Sequence, residues 1–181
     1  MNRHGSWWYL ILISGSLLYA ATSVHWRITT PPLRSRIIRA SDRRLAPDLE
    51  FKGQNGEPIL LSRFSGKTVL LNFWATWCKP CEVELPWLSA LAQSFPKDRF
   101  ALVGVAMDDD GWTKVQPYTD SHAITYEIVL GDKNVTDKLG GLSGLPTSLL
   151  IDADGKIAAV FRGAISQEVY QRSIIELMAQ K

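Results

Sequence analysis

The sequence predicts an α/β fold in which helices cover both faces of a mixed central β-sheet. Three observations support this fold class. Segments typical of strands alternate with segments typical of helices, several strand segments are nearly continuous apolar runs, and the chain closes with a hairpin followed by a helix. The chain has 181 residues, 46% hydrophobic and 21% charged, so one ordinary domain with a core is expected rather than a disordered or repetitive chain.

The first half of this domain is predicted to contain a hairpin, a buried strand and a helix. Residues 49–51 and 59–61 flank Asn55-Gly56, a strong hairpin signal. The run TVLLNFW at 68–74 is typical of a strand that is buried on both faces. Apolar residues then recur at helical spacing and predict a helix over 80–95.

The second half continues the alternation. Strands are predicted at 100–107, 126–130, 147–151 and 157–162, and helices at 112–122, 135–139 and 167–179. Asp152-Ala153-Asp154-Gly155 joins the last two strands as a second hairpin, and Ser166 can cap the final helix. The acidic run 108–110 is interpreted as a solvated loop at a strand end.

Residues 1–26 are predicted to form a membrane anchor. No charged residue occurs from 5 to 24, about the ~20 residues that a helix needs to cross a bilayer. Aromatic residues stand at both ends of this stretch, as they do at membrane interfaces. A cleaved secretory signal, with Arg3 as its charged start, is the competing interpretation.

Charge divides the chain into two unlike parts. Residues 1–46 hold seven Arg and one Asp, a net +6, which leaves −4 of the total +2 for residues 47–181. Residues 47–181 are mildly acidic, which gives no reason to expect nucleic acid as a partner. Residues 27–45 are predicted to be an Arg- and Pro-containing linker, either close to anionic lipid or simply solvated. These arginines favour a cytoplasmic domain, whereas one N-terminal span followed by a whole domain is typical of an exported, tethered protein.

Both cysteines lie in Trp77-Cys78-Lys79-Pro80-Cys81, directly after a predicted buried strand and at the start of a predicted helix. A Cys-x-x-Cys pair in this context is typical of a redox-active dithiol. Free N–H groups at the helix N-terminus stabilise a thiolate at Cys78, and Lys79 adds a positive charge. Pro80 suits the first helical turn, where its missing N–H has no helical acceptor. Two cysteines cannot complete a zinc site, so no metal is expected.

The stretch 70–86, LLNFWATWCKPCEVELP, resembles the TlpA/ResA-like thiol–disulfide oxidoreductases, membrane-tethered thioredoxin-fold proteins of bacteria. The resemblance runs from residue 46 to the last helix, with APD, FWATWCxPC and GLPTSLLIDADG in order. It implies a thioredoxin fold with an added N-terminal β-hairpin over residues 46–181. It also implies a single N-terminal span in the bacterial inner membrane and a catalytic domain on the periplasmic or extracytoplasmic side. For the location of the domain we follow this resemblance rather than the arginines, which favour the cytoplasm.

The resemblance also assigns roles to individual residues. Cys78 attacks the substrate, and Cys81 resolves the mixed disulfide. Pro146 resembles the cis-proline that lies against the disulfide in thioredoxin folds. The alternative for Pro146 is an ordinary trans proline in a turn. Leu145, which precedes it, offers backbone groups to an extended substrate. Substrate binding is assigned to Trp77, Lys79, Pro80, Leu145 and Pro146.

Glu84 is the third expected catalytic residue. It lies three residues after Cys81, on the same face of the predicted helix. Ordinary thioredoxins carry a buried Asp on the preceding strand, where this chain has Asn72, which cannot exchange a proton. The TlpA/ResA-like pattern instead has a Glu at this position, and such a carboxylate, with its pKa raised by burial, can take the proton of Cys81. The alternative is an exposed helix residue that does no more than pair with Lys79, as Glu82 also could.

The predicted function is therefore reduction of disulfides in extracytoplasmic proteins, with cytochrome c maturation as one setting. Thr147 stands where the CcmG branch of that pathway usually has an acid, which favours a general reductase. The expected partners are protein thiols and disulfides, a membrane electron donor, and membrane lipid through the N-terminal helix. No cofactor beyond the Cys78–Cys81 pair is expected. A peroxiredoxin-like peroxidase and a Sco-type copper-binding assembly protein are the alternatives.

Overall fold

The computed structural model describes residues 37–180, whose strands form one eight-stranded mixed sheet in the order β1-β8-β7-β4-β5-β6-β2-β3. The strands are β1 (Arg44–Leu45), β2 (Glu50–Lys52), β3 (Pro58–Leu60), β4 (Thr68–Trp74), β5 (Phe100–Ala106), β6 (Glu127–Leu130), β7 (Thr147–Ile151) and β8 (Lys156–Arg162). The α-helices are α1 (Lys79–Gln93), α2 (Trp112–Ser121), α3 (Lys133–Lys138) and α4 (Gln167–Met178). Single 3₁₀ turns occur at Ala40–Asp42 and Leu61–Phe64.

Strand β4 lies at the centre of the sheet and is buried along its whole length. It pairs in parallel with β5 and antiparallel with β7. Its side chains alternate between two hydrophobic clusters. Leu70 and Trp74 pack in a cluster with α1, α2 and α4, which we call the helix-side cluster, whereas Leu71 and Phe73 pack on the other face with the β2–β3 residues and Val135 of α3. The apolar run of β4 follows from this burial on both faces, and the predicted mixed sheet with helices on both faces is confirmed.

The helix ends lie within two residues of the predicted ones, and the differences have local reasons. Helix α1 begins at Lys79 because Cys78 serves as its N-cap, and Ser94 is its C-cap. Helix α3 begins two residues earlier than predicted because the Asp132 side chain caps it, accepting a hydrogen bond of 3.1 Å from the N–H of Val135. Ser166 is at the N-cap of α4, as predicted, but its side chain makes no capping hydrogen bond.

Residues 37–45, within the segment predicted as a linker, lie against the sheet. Strand β1 pairs antiparallel with β8, and the N–H of Ile38 donates to the carbonyl of Ala158 at 2.7 Å. The guanidinium of Arg43 pairs with Asp152 at 3.0 Å, and the two side chains are only 5% and 12% exposed. Residues 37–45 thus add a strand to the sheet ahead of residue 46.

At the other edge of the sheet, β2 and β3 pair antiparallel around a turn that contains Gly56 at φ +81°. The positive φ is the conformation for which glycine is preferred, which explains the Asn-Gly sequence. β2 also pairs with β6, so these two strands extend the sheet. The predicted anchor at 1–26 lies outside the described residues. Within residues 37–180, no helix combines the length and apolar character needed to cross a bilayer.

Candidate active site

Cys78 and Cys81 are joined by a disulfide at the start of α1, with their Cα atoms 5.3 Å apart. Cys78 is the N-cap residue, and its Sγ accepts a hydrogen bond of 3.3 Å from the N–H of Cys81. The helix N-terminus is therefore directed at the Cys78 sulfur, as the sequence predicts, and this arrangement stabilises a thiolate there. Cys78 is 5% exposed and Cys81 1% exposed, so Cys78 is the sulfur that a partner can reach first.

The register of the sheet brings a second loop to the same place. Phe73, near the end of β4, pairs with Thr147, the first residue of β7. Because the two strands are antiparallel, the residues before Thr147 lie beside the residues that follow β4. The Leu145–Pro146 bond in this loop is cis, as predicted. Pro146 is buried, its carbonyl accepts a hydrogen bond of 2.9 Å from the N–H of Gly163, and half-buried Leu145 packs against the helix-side cluster, which contains both cysteines.

The loop between β4 and Cys78 is fixed by Asp108, which follows β5. The Asp108 carboxylate accepts hydrogen bonds from the backbone N–H of Thr76 at 3.1 Å and from its hydroxyl at 2.5 Å. Asp108 is only 8% exposed, so the interpretation of this residue as part of a solvated loop is wrong. Burial of a carboxylate is tolerated here because Thr76 supplies two donors.

The surface beside Cys78 is formed by exposed residues. Trp77 precedes the disulfide and is 67% exposed, which is unusual for so large an apolar side chain. Lys79 is exposed and pairs with Glu82 at 3.1 Å, and Pro80 is an exposed residue of the first helical turn. Of the two carboxylates considered from the sequence, Lys79 thus pairs with Glu82 and not with Glu84.

Glu84 lies inside the protein, at 1% exposure. Its Oε1 accepts a hydrogen bond of 2.5 Å from the N–H of Ile165, in the segment that leads into α4. Its Oε2 is also buried, and no group of residues 37–180 forms a hydrogen bond with it. Burial raises the pKa of Glu84 to about 7, although the N–H of Ile165 and the side chains of Asn72 and Tyr170 act in the opposite direction. The alternative of an exposed glutamate is wrong for Glu84.

Glu84 belongs to a buried polar cluster that sequence reasoning missed. The Oγ of Ser148 on β7 accepts hydrogen bonds from the side-chain N–H of Asn72 at 2.9 Å and from the hydroxyl of Tyr170 at 2.8 Å. All three residues are at most 1% exposed. Ser148 could have been recognised from the sequence, because it is a polar residue in the otherwise largely apolar strand TSLLI. Tyr170 gives no such signal, because it is an aromatic residue at a core position of an amphipathic helix.

Comparison with known proteins agrees with this geometry. The model of the AhpC/TSA family matches residues 43–160. The chain is 32% identical over 123 residues to the thiol-disulfide oxidoreductase ResA of Geobacillus thermodenitrificans, an alignment that covers 68% of this chain and 70% of that protein.

Two solved structures extend the comparison to the fold. A thiol:disulfide interchange protein of the thioredoxin family from Chlorobium tepidum matches with a TM-score of 0.67 and 27% identity, over 75% of this chain and 97% of that one. StoA from Bacillus subtilis matches with a TM-score of 0.60 and 27% identity, over 71% of this chain and 97% of that one. The strand order, the cysteine pair and these relatives together lead to one conclusion: the chain belongs to the thioredoxin-like AhpC/TSA family and is a thiol–disulfide oxidoreductase similar to ResA.

Proposed function

We propose that the protein reduces disulfides of other proteins on the extracytoplasmic side of a bacterial inner membrane, with Cys78 as the attacking thiolate. The observation that carries this proposal is the position of the Cys78 Sγ, which receives the N–H of Cys81 at the start of α1 and lies beside exposed Trp77. The extracytoplasmic location rests on the uncharged stretch from 5 to 24 and on the resemblance to tethered oxidoreductases. Cytochrome c maturation is one setting in which such a reductase serves.

The reaction transfers two electrons to the substrate disulfide in two thiol–disulfide exchange steps. The Cys78 thiolate attacks one sulfur of a substrate disulfide, a mixed disulfide forms, and the first substrate thiolate leaves. The Cys81 thiol then loses its proton and attacks the Cys78 sulfur, which releases the second substrate thiolate and leaves the enzyme disulfide. A membrane dithiol donor returns the enzyme to the reduced state by the same exchange in reverse.

Glu84 is the proposed acceptor of the Cys81 proton. It lies three residues after Cys81 on the same helix, and both residues are buried, so the carboxyl is on the same helix face as the Cys81 sulfur. A pKa of about 7 leaves Glu84 divided between its two forms near neutral pH, as a proton acceptor that must also release its proton requires.

Substrate docking is proposed at the surface around Cys78. Trp77, Lys79 and Pro80 supply its exposed side chains, and Leu145 and Pro146 form the adjoining loop. In this arrangement the backbone of Leu145 pairs with an extended substrate segment, in the manner of strand addition.

The roles of the two cysteines are tested by trapping. In the Cys81→Ser variant the mixed disulfide at Cys78 cannot be resolved, so covalent complexes with extracytoplasmic proteins should accumulate. The Cys78→Ser variant is the matched control and should trap none. Equal trapping by both variants would contradict the assigned order of attack.

The direction of electron flow is tested by the reduction potential of the Cys78–Cys81 pair. A reductase is expected close to the thioredoxin value of about −270 mV, whereas a value near −120 mV would identify an oxidant and overturn the proposal. Peroxide consumption and protection of the thiols by Cu(I) should both be absent, and either would favour the corresponding alternative function. A C-terminal reporter that is active only in the cytoplasm would contradict the location.

A further inference from the structure

We propose that Tyr170 is a positioning residue for Glu84, with its hydroxyl held by Ser148 so that it can donate to the Glu84 carboxylate once Cys81 has given up its proton. This inference rests on the proposed role of Glu84 as the proton acceptor. It assigns a part in the exchange to a residue of α4, far from the cysteine motif in the sequence.

Four elements bring this cluster together. Glu84 comes from α1, Asn72 from β4, Ser148 from β7 and Tyr170 from α4. Asn72 and Ser148 are directly paired in the sheet, so their side chains lie on the same face of adjacent strands. The ring of Tyr170 is fixed by two aromatic neighbours, with its centroid 5.7 Å from Trp87 and 5.0 Å from Phe161. The hydroxyl therefore has little freedom except rotation of its proton.

The hydrogen bonds of the cluster leave the Oε2 of Glu84 without a donor among the described residues. A serine hydroxyl offers two acceptor sites and one proton. The Ser148 Oγ receives Asn72 and Tyr170, so both of its acceptor sites are occupied. The Oε1 of Glu84 receives the N–H of Ile165, whereas its buried Oε2 has no hydrogen-bond partner among the described residues. A buried carboxylate oxygen without a donor is most costly when it is charged, and less costly when the carboxyl is neutral.

The two protonation states of Glu84 therefore require different partners. Neutral Glu84 carries its proton on Oε2, and the Tyr170 hydroxyl donates to Ser148. Ionised Glu84 needs a donor at Oε2, which the Tyr170 hydroxyl supplies by turning away from Ser148. The side chains of Tyr170 and Asn72 already lower the pKa of Glu84, so both lie close enough to act on this carboxyl.

The Asn72 amide donates one N–H to Ser148 and also acts on Glu84, as Tyr170 does. The remaining polar groups that face Glu84 do not provide this donor. On its own helix the neighbour is Cys81, the proposed source of the proton. The N–H of Ile165 is engaged with Oε1. Tyr126, just before β6, is buried in the helix-side cluster, and its pKa is raised by burial and by the charge of Glu84, so it stays neutral. The Tyr126 hydroxyl has no hydrogen-bond partner within residues 37–180.

Tyr126 provides a matched control. Tyr170→Phe and Tyr126→Phe remove the same atom from two tyrosines of one cluster, both buried. We expect Tyr170→Phe to raise the pKa of Glu84 by about one unit, the size expected for loss of a hydrogen bond to a charged group. Tyr126→Phe should leave it within about 0.3 units, because its hydroxyl donates to no described group. The pKa is measured by NMR of the ¹³C-labelled carboxyl carbons in the full chain, with the Glu84 signal assigned through Glu84→Gln.

Ser148→Ala is a second variant with the opposite expected sign. It removes the acceptor that competes for the Tyr170 hydroxyl, so the pKa of Glu84 should fall. An unchanged pKa in both folded variants, or an equal rise in Tyr170→Phe and Tyr126→Phe, would overturn the positioning role.

A kinetic measurement separates this inference from the proposed function. The pH profile for resolution of a mixed disulfide, formed on Cys78 with a small thiol, should move upward by the same amount as the Glu84 pKa in Tyr170→Phe. In a Glu84→Gln background the same tyrosine substitution should have no effect on the profile. A shifted pKa with an unshifted profile would mean that Tyr170 positions Glu84 but that Glu84 is not the proton acceptor.

Discussion

Burial of Glu84 destabilises the charged form of its carboxyl group, the form that accepts a proton. A carboxylate enclosed by the sheet, α1 and α4 loses the water that would stabilise its charge, and one backbone N–H and two nearby side chains compensate only in part. The resulting pKa of about 7 is suited to proton transfer, but it also makes the charged form a source of instability.

The stability of the oxidised protein should therefore depend on pH through Glu84. The folded pKa of about 7 lies above the ordinary value of 4.5, so the native state binds more protons than the unfolded state between these values. The free energy of unfolding should fall as the pH rises from 4.5 to 7, by on the order of 2–3 kcal/mol for this residue. Glu84→Gln should lack this component, and denaturant unfolding of both proteins at several pH values measures the difference. Parallel pH profiles would contradict the prediction.

Trp77 makes a separate prediction at the residue scale. Its ring is exposed beside the disulfide, so it should contribute to docking of protein substrates rather than to sulfur chemistry. Trp77→Ala should slow exchange with a protein disulfide about tenfold, equivalent to ~1.4 kcal/mol, and leave exchange with oxidised glutathione nearly unchanged. Ile175→Ala, an exposed apolar residue on α4, is the control and should affect neither rate. An equal loss with both substrates would place Trp77 in the chemical step instead.

Among the elements, β1 has the least sequence signal and one of the clearest anchors. Arg44 and Leu45 are both exposed and form a two-residue strand, so no alternating pattern marks them. What holds this segment is the neighbouring ion pair of Arg43 and Asp152, together with the bond from Arg43 to the carbonyl of Ile38. Asp152 also accepts backbone N–H groups in the β7–β8 turn, so Arg43 connects the segment to a part of the sheet that is already ordered.

Removal of the Arg43–Asp152 ion pair should lower the free energy of unfolding. Arg43→Ala leaves the largely buried Asp152 carboxylate without its cation. We expect the free energy of unfolding to fall by about 2–3 kcal/mol, less than is usual for a broken buried pair because backbone donors to Asp152 remain. Arg39→Ala is the matched control, since Arg39 pairs with Asp42 at 3.8 Å on the surface and should contribute at most ~0.5 kcal/mol. Urea unfolding measures the free energy of unfolding of both variants. An equal decrease in the two would show that the Arg43–Asp152 pair is no stronger than a surface pair.

Prediction from sequence succeeded where the signal is local and failed where it depends on distant parts of the chain. The run at 68–74 and the strand at 147–151 are present with the predicted bounds, because burial on both faces demands continuous apolar residues. The cysteine pair and the cis-proline were found from short motifs. The Ser148–Tyr170 contact and the buried Asp108 could not be, because each depends on which element packs beside it.

At the scale of the whole molecule, the active site is assembled from the ends of several strands. β4 leads into the cysteine loop, β5 into Asp108, and the paired start of β7 and end of β8 hold the Pro146 loop. Leu145, in the Pro146 loop, packs against both hydrophobic clusters, whose buried members lie between Leu49 and Leu177. The positions of the site groups are thus set by the sheet as a unit.

The length of chain needed for a stable domain follows from the same architecture. Residues 37–181 contain β1 and Arg43, whereas residues 46–181 lack both. We expect the shorter fragment to melt about 5–10 °C below the longer one, since ~2–3 kcal/mol corresponds to that shift for a domain of this size. Thermal unfolding followed by circular dichroism at one pH and salt concentration provides the comparison. Identical melting temperatures would mean that the strand and the ion pair add nothing to stability.

The cap of α1 connects the redox and folding equilibria of the protein in one thermodynamic cycle. The sulfur that receives the N–H of Cys81 is the same sulfur that is oxidised and reduced. A thiolate accepts such a hydrogen bond more strongly than a disulfide sulfur does. A change that strengthens this bond therefore favours the reduced form. A difference of 1.4 kcal/mol between the unfolding free energies of the two forms corresponds to about 30 mV in potential. Substitutions in the first turn of α1 will therefore change the reducing power of the enzyme in proportion to how differently they stabilise its two forms, and a helix start that caps the thiolate too well would make a poor reductant.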